Sequence, residues 1–390
     1  MGKDRFASYF VPVVSKTLDI LEAFQSTKEE LSLEEIIRRT GMAHGTAYRI
    51  LFTLVHRGYL VHSLQPKKYR VMPSPHRRKI GYCSVGEQSF ANQVAASLEM
   101  AARSAGFGLI MLSNEWDRDN GDRAIRNAQK LVTERVDVAI NFQFHASVAP
   151  VIADIFARAK IPTIAVEIPQ PGAIYYGVDN YRAGWDAGEV LARHALSTGN
   201  GKVDLIVLLD TPAAGEVEQS RLTGVLKSLE QTLGPMPNRK VCRVDGKGTR
   251  EASKLVTADV LRTHPRVKRI LLSAANDISA LGGLDALRAA GRDSGALIVG
   301  FGGMPEALAE ISNPKSPYIA TVSFWPNQYG PGLIKLVGKV LAGEPVAPFH
   351  TIQHQTIDRV NLGRYFPTVL PQMRVDSPAH KIAPTEMTNE

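Results

Sequence analysis

Arg49 is the residue best placed to do chemistry, because it lies on the polar side of a short amphipathic pattern. Ala47, Ile50, Leu51 and Leu54 recur at helical spacing from about His44 onward. That leaves Gly45, Arg49, Phe52 and His56 on the opposite face, with Thr46 and Tyr48 flanking its N-terminal end. A guanidinium fork there can engage a guanine edge bidentately, and the free N–H groups of a helix start favour phosphate. Lys67, Lys68 and Arg70 follow on a segment expected to pair with Tyr59–His62 as a hairpin, where phosphate contacts are independent of sequence. The candidate DNA contacts are therefore His44, Gly45, Thr46, Tyr48 and Arg49 on the helix, and Lys67, Lys68 and Arg70 on the hairpin.

The elements that must position these residues are legible on either side. Ser32 with Glu35 forms a capping box opening a helix that runs to about Arg39 and stops at Gly41. Before it, Val14, Leu18, Leu21 and Phe24 fall at helical spacing, with Ser15 expected as the cap. Gly58 is expected to end the third helix. Three short helices followed by a basic hairpin predict a winged helix-turn-helix over residues 1–72, an element that lays one helix in the major groove. Met72-Pro-Ser-Pro-His-Arg-Arg-Lys79 then reads as a semi-rigid tether, with the linker at 73–79.

Charge supports this division. Of the net +8 over 390 residues, residues 1–80 contribute fourteen Lys or Arg against seven Asp or Glu; the remaining 310 residues hold 32 against 31. Concentration of the excess on the first fifth of the chain is the electrostatic footprint of a nucleic-acid module. Cys83 and Cys242 are the only cysteines and lie far apart, which argues against a disulfide framework. No apolar run approaches a membrane span. Lys3, Asp4 and Arg5 precede a stretch, Phe6 to Val14, that is interrupted by Ser, Tyr and Pro and does not resemble a signal peptide. A cytoplasmic, reduced location is expected.

Catalytic motifs are missing: HExxH, GxSxG, CxxC and GxxxxGK do not occur. Gly300-Phe-Gly302-Gly303-Met-Pro305 imitates a dinucleotide loop, but Pro305 takes the third glycine's place and the motif belongs to a late strand. His350 and His354 fall in a strand-prone stretch near Pro348, where surface placement is expected over metal binding. No catalytic residue, metal or cofactor is expected.

After Lys79 the pattern alternates strand and helix. Strand-like runs occupy 80–85, 108–112, 136–141, 162–166, 203–209, 269–272 and 296–301, with helical runs such as 91–105 and 184–195 between them. About nine strands are expected over this half. They exceed one comfortable sheet, so the reading is α/β with two doubly wound lobes over 80–367, and a disordered tail at 368–390. Ligands of such folds bind at strand C-terminal ends, in the cleft between lobes.

Two resemblances follow from the motifs. The run from Val14 to Met72, with LSLEEIIRRTGM, TAYRILFTL and RGYLV in order, resembles the winged helix of the IclR family of bacterial regulators. It departs at Gly45, where that family usually carries serine, and the family's usual effector domain does not follow. The stretch from Lys79 to about Pro367 resembles the type I periplasmic sugar-binding fold, also used as the sensor of LacI-type repressors. SFANQVAASLEMAARSAGFGLIMLSN, IPTIAVEIP, GVDNYRAGWDAGEVLA, QSRLTGVLKSL, SAANDISALGGLDALRAAG, IVGFGGMPEALAEI and YIATVSFWPNQYG match it in the expected order.

The second resemblance implies a set of ligand contacts. Phe90 corresponds to an aromatic that stacks on a sugar ring, Asn141 to a polar contact after the third strand, and Glu167 to an aspartate that binds hydroxyls. Arg221 corresponds to an arginine from the second lobe, and Asn276 with Asp277 to the family's Asn-Asp pair. Asp179 adds a polar group, and Phe90 with Phe324 would provide two apolar walls. Ile168, Gly302 and Phe324 stand where the family has arginine, aspartate and glutamine, so three groups that grip hydroxyls are lost. The resemblances imply a ligand-responsive DNA-binding transcription regulator, probing double-stranded operator DNA as a homodimer and sensing a small sugar or sugar derivative. A solute-binding protein without DNA binding is the alternative, opposed by the basic head. A nicotinamide-dependent enzyme is a third reading, opposed by the broken glycine motif.

Overall fold

The computed structural model describes residues 11–64, 67–72, 78–86, 89–114, 121–235 and 241–367. The prolines of the tether and the tail expected at 368–390 lie outside the described residues.

The first unit is a winged helix. Helices α1 (Pro12–Glu22), α2 (Leu33–Thr40) and α3 (His44–His56) pack with strands β1 (Glu30–Leu31), β2 (Leu60–Leu64) and β3 (Lys67–Val71), in the sheet order β1-β3-β2. Both halves of the Ser32–Glu35 capping box form, and Gly41 ends α2 in the left-handed conformation. Ala47, Ile50, Leu51 and Leu54 are the buried residues of α3, in one core with Ile20, Phe24, Ile36 and Leu60. The first helix differs from expectation. Pro12 takes its first position, where a missing N–H costs nothing, so the helix begins before Ser15, whose own N–H bonds Val11 O. Val14 and Leu18, expected in the core, are exposed together with Val11 and Val13, while Ile20 is buried.

The remainder forms two lobes. Lobe 1 contains β4 (Lys79–Ser84), α4 (Ser89–Ser104), β5 (Gly108–Ser113), α5 (Asp122–Thr133), β6 (Val138–Asn141), α6 (Ala149–Arg158), β7 (Thr163–Val166) and β8 (Ile174–Val178). Lobe 2 contains α7 (Asn180–Gly199), β9 (Leu205–Asp210), α8 (Glu216–Leu233), β10 (Val241–Asp245), α9 (Arg250–Thr263) and β11 (Ile270–Ala274). It continues with α10 (Asp277–Ala289), β12 (Ala296–Gly302), α11 (Pro305–Ser312) and β13 (Tyr318–Ser323). The chain then returns to lobe 1 for α12 (Tyr329–Ala342) and β14 (Phe349–Ile352), and crosses again for β15 (Gln355–Asp358) and the short α13 (Leu362–Tyr365).

The sheets run β14-β8-β7-β6-β4-β5 and β10-β9-β11-β12-β13-β15, parallel throughout except for β15, which is antiparallel to β13. The two lobes thus hold twelve described strands rather than about nine. Those not foreseen are mostly short edge strands. Three crossings join the lobes: at Asp179, at residues 324–328, and at Gln353 and His354. His354 bonds Asp186 on α7 at 3.0 Å, while His350 lies on β14.

Helices cover both faces of each sheet, α4 and α12 opposite α5 and α6 in lobe 1, α7 and α8 opposite α9 and α10 in lobe 2. The α7–α8 contact is backbone to backbone. Gly184 and Gly188 on α7 meet Arg221, Val225 and Ser228, and Gly224 on α8 meets the backbone of Tyr181 and Trp185. Side chains at these glycines would push α8 outward, and with it Arg221.

A methyl at Gly184 would overlap the Arg221 carbonyl oxygen. Helix propensity favours alanine over glycine by about 1 kcal/mol, but overpacking costs about 1–3 kcal/mol, and here backbone must yield. Gly184→Ala should therefore lower unfolding stability in urea by about 1–2 kcal/mol. Gly338→Ala on α12, which faces open space, should instead gain up to about 1 kcal/mol.

Candidate functional site: a reading helix and a cleft between lobes

The DNA-facing candidates share one surface. His44, Gly45, Tyr48 and Arg49 are exposed at the start of α3 and Thr46 is half-buried. Tyr48 is 52 % and Phe52 64 % exposed, so neither ring packs into the core. The first turn of α3 has no side-chain cap, leaving the His44 and Gly45 N–H groups for an external acceptor, while that of Thr46 bonds Ala43 O. Lys67 and Arg70 are exposed and Lys68 half-buried on β3. Tyr69 alternates inward and stacks on His62.

The cleft is built from the C-terminal ends of parallel strands. Lobe 1 brings Val85 and Phe90 from the β4–α4 junction, Phe142 and Phe144 after β6, and Glu167 with Ile168 after β7. Lobe 2 brings Glu218 and Arg221 from α8, Asn276 and Asp277 from the start of α10, Phe301 and Gly302 from β12, and Phe324 after β13. They enclose a cavity of about 100 Å³. Small-molecule sites generally measure about 300–1,000 Å³, so a monosaccharide enters only if the lobes part at their crossings.

Arg221 dominates the interior. Its side chain is 7 % exposed. Nε and Nη2 donate to Asn180 Oδ1 at 3.0 and 2.5 Å, and Nη1 donates to the Ala275 carbonyl. The guanidinium lies over the rings of Phe301 and Phe324, 5.2 and 4.9 Å from their centroids. Glu167 faces it from lobe 1 at 4.0 Å. Glu167 takes a positive φ of 61°, a costly conformation for a residue with a side chain, which turns the chain after β7. Tyr329 donates its hydroxyl to the same carboxylate. Burial raises the Glu167 pKa against the opposing pull of Arg221 and Tyr329.

The remaining candidates divide. Asp277 is fully buried and accepts from Tyr318 Oη and Thr321 Oγ1 at 2.7 Å and from the Met304 N–H at 2.8 Å, a network internal to lobe 2. Burial raises its pKa despite these donors. Asn276 caps α10 by accepting from the Ser279 N–H, and donates to Gly248 O. Gly302 has φ 127°, a backbone conformation that residues with a side chain rarely adopt. Phe90 packs edge-on against Phe142, Phe324 and Tyr329. Two expected contacts do not line the cavity. Asn141 lies behind it, donating to Gln170 at 2.8 Å. Asp179 is exposed at the first crossing, where it caps α7 by accepting from the Arg182 N–H.

Glu218 was not foreseen. Its side chain is 13 % exposed, and Nη1 of Arg221 stands 3.5 Å from Oε1. Oε2 is buried with no hydrogen-bond partner among the described residues. Burial pushes its pKa up to about 7; Arg221 lowers it, while Asp210 and Glu167 raise it. The i, i+3 spacing of Glu218 and Arg221 on one helix face was the available signal.

A family model described as a periplasmic binding protein domain matches residues 82–345. The chain belongs to that family. An IclR helix-turn-helix domain model matches residues 13–63, so this periplasmic-binding-protein-family chain carries an IclR-type reader at its N-terminus. A comparison with curated protein sequences finds no match. Among solved structures, similarity extends to a Mycobacterium smegmatis protein in complex with β-D-fucofuranose, at 22 % identity and TM-score 0.63 over 74 % of this chain and 94 % of that one. A Bacillus halodurans C-125 transporter solute-binding protein with bound myo-inositol aligns at 18 % identity and TM-score 0.65, over 75 % and 99 %. An Actinobacillus succinogenes 130z periplasmic solute-binding protein with bound D-allose aligns at 17 % and 0.63, over 74 % and 99 %. Identities this low establish the shared fold. Among the described residues no helix is long and apolar enough to cross a membrane.

Glu218 yields a pH test. Between the ordinary value of 4.5 and about 7, the folded protein keeps a proton that the unfolded chain has lost. Stability is therefore fullest at the acid end of this window and falls as pH rises through it. Glu167 is shifted in the same direction. Glu218→Gln removes one share of that loss. The variant's stability relative to the parent should rise between pH 5 and 8 by up to about 3 kcal/mol, at 1.36 kcal/mol per pKa unit. A difference that stays flat across denaturation series at pH 5, 6, 7 and 8 would refute the buried, proton-holding Glu218.

Proposed function

We propose that this protein is a cytoplasmic, homodimeric transcription regulator whose affinity for operator DNA is set by a small sugar-like metabolite held between its lobes. The observation that carries the reading is the joining, on one chain, of an exposed basic reading helix and hairpin to a two-lobed cleft lined by phenylalanines and carboxylates. The bound β-D-fucofuranose, D-allose and myo-inositol of the solved relatives support a polyol or sugar class. Ile168, Gly302 and Phe324 favour a less hydroxylated or ring-faced derivative, because a hydroxyl buried without a partner is poorly held. Unmodified ribose, galactose and glucose should bind weakly.

The dimer follows from the reader, since one winged helix addresses a half-site and specific affinity ordinarily takes two. The exposed Val11, Val14 and Leu18 of α1, spaced i, i+3 and i+7, offer a second copy an apolar face.

On DNA, Arg49→Ala should lose about 1–3 kcal/mol of discrimination at one base pair, the worth of a bidentate contact. Lys67→Ala and Lys68→Ala should weaken operator and random DNA alike and flatten the salt dependence. An unchanged operator-to-random ratio in Arg49→Ala would remove that residue from base reading.

On coupling, a thermal-shift screen of sugars, sugar acids, polyols and cyclic metabolites should give a hit that raises the midpoint and is lost in Arg221→Ala. That ligand should change operator affinity by the same factor by which operator changes its own. A tight ligand that leaves operator affinity untouched would refute the coupling while leaving the cleft intact.

A further inference from the structure

A second cavity, of about 490 Å³, lies between α12 and β14 at the hinge. Its wall includes Phe324, Trp325 and Gln328 from the second crossing and Gln353 from the third. Lys335 and Lys339 border it from one face of α12, and both are exposed. Like charges at i, i+4 repel, and neither lysine forms an ion pair with another described residue. From β14, His350 faces them with Nε2 buried and without a hydrogen-bond partner among the described residues. Two lysines and an imidazole thus line a cavity of small-molecule size whose wall carries no carboxylate.

We propose that this cavity is a second ligand site, for a small multiply charged oxyanion such as a phosphate ester or a polycarboxylate, and that its occupancy is transmitted to the cleft. The ammonium groups of Lys335 and Lys339 supply charge-assisted hydrogen bonds, and the His350 imidazole lines the opposite wall. An anion bridging them ties α12 to β14, the two lobe 1 elements that adjoin the second and third crossings. The link to the cleft is short. Phe324 lines both cavities, and Tyr329, on the wall of this one, donates to Glu167 in the other. A ligand at the hinge thereby fixes the Phe324 ring, which walls the cleft, and the Tyr329 hydroxyl, which holds Glu167 there. This site is independent of the effector's identity and of DNA binding.

The test is a titration of the full-length protein with inorganic phosphate and, separately, citrate, against chloride at matched ionic strength. The thermal midpoint and tryptophan fluorescence, to which Trp325 contributes, are followed, with hydrogen–deuterium exchange of residues 324–329 measured at saturation. A saturable response is expected with at least one anion, with slowed exchange at 324–329. It should weaken about tenfold or more in the Lys335→Gln, Lys339→Gln double variant, whose exposed positions leave folding in chloride unchanged. It should persist in a Lys67→Gln, Lys68→Gln variant, which separates it from phosphate on the hairpin. Response to phosphate alone assigns a phosphate ester, and response to citrate alone a polycarboxylate. No saturable response to either, an unaltered response in the Lys335, Lys339 variant, or loss only in the hairpin variant would overturn the site. Binding without protection at 324–329 would overturn the transmission to the cleft.

Discussion

Burying a guanidinium costs several kcal/mol unless its N–H groups are met, and the cleft is organised around meeting that demand for Arg221. Lobe 2 supplies most of the answer through Asn180, the Ala275 carbonyl and the faces of Phe301 and Phe324. What lobe 2 cannot supply is a full counter-charge, since Glu218 beside it is pushed toward its neutral form by burial. Glu167 across the cleft stands 4.0 Å away, its pKa likewise raised by burial and pulled back by Arg221 and Tyr329. The pair Arg221–Glu167 is thus one electrostatic contact between the lobes, beside the apolar packing of Phe90 on Phe324. The α7–α8 glycines matter for the same reason, because they set how deep the α8 backbone, and hence Arg221, can sit.

The closed arrangement leaves Arg221 with little capacity for a ligand. An effector that enters must either offer a better partner than Glu167 or use the groups left over, which are Glu218 Oε2 and the phenylalanine faces. Aromatic faces hold the C–H side of a ring without asking for hydrogen bonds, while a protonatable carboxyl can donate as well as accept. This differs from a site that clamps every hydroxyl, and it suits a wall in which Ile168, Gly302 and Phe324 bring no polar side chain.

Much of the fold was legible because it is local. The Ser32–Glu35 box, the left-handed Gly41 and the buried stripe of α3 each depend on neighbours within a few residues. The start of α1 was misplaced because Ser15 is a good cap in isolation and Pro12 a better first residue in context. Strands β8, β10, β13, β14 and β15 were not among the runs picked out, for a different reason. All but β13 are only partly buried, and they are strands by virtue of distant partners. At the site, order along the chain located Phe90, Glu167, Arg221, Asn276, Asp277 and Phe324 at the cavity. It could not show that Asn276 and Asp277 are occupied with helix capping and a buried network, or that Asn141 and Asp179 point elsewhere. Phe142, Phe144 and Phe301 were missed since an apolar residue beyond a strand end looks the same whether it fills a core or walls a cavity.

The two segments at 349–358 have a consequence for the order in which the molecule is completed. β14 covers the exposed side of β8 in one sheet, and β15 that of β13 in the other. As the chain leaves the ribosome, the winged helix has all its strands once Val71 has emerged. Each lobe, by contrast, lacks its last strand until nearly three hundred residues later. Until then β8 and β13 stand as unpaired edges that invite other strands, so the nascent protein passes through a long interval in which its reader is complete and its two lobes are not.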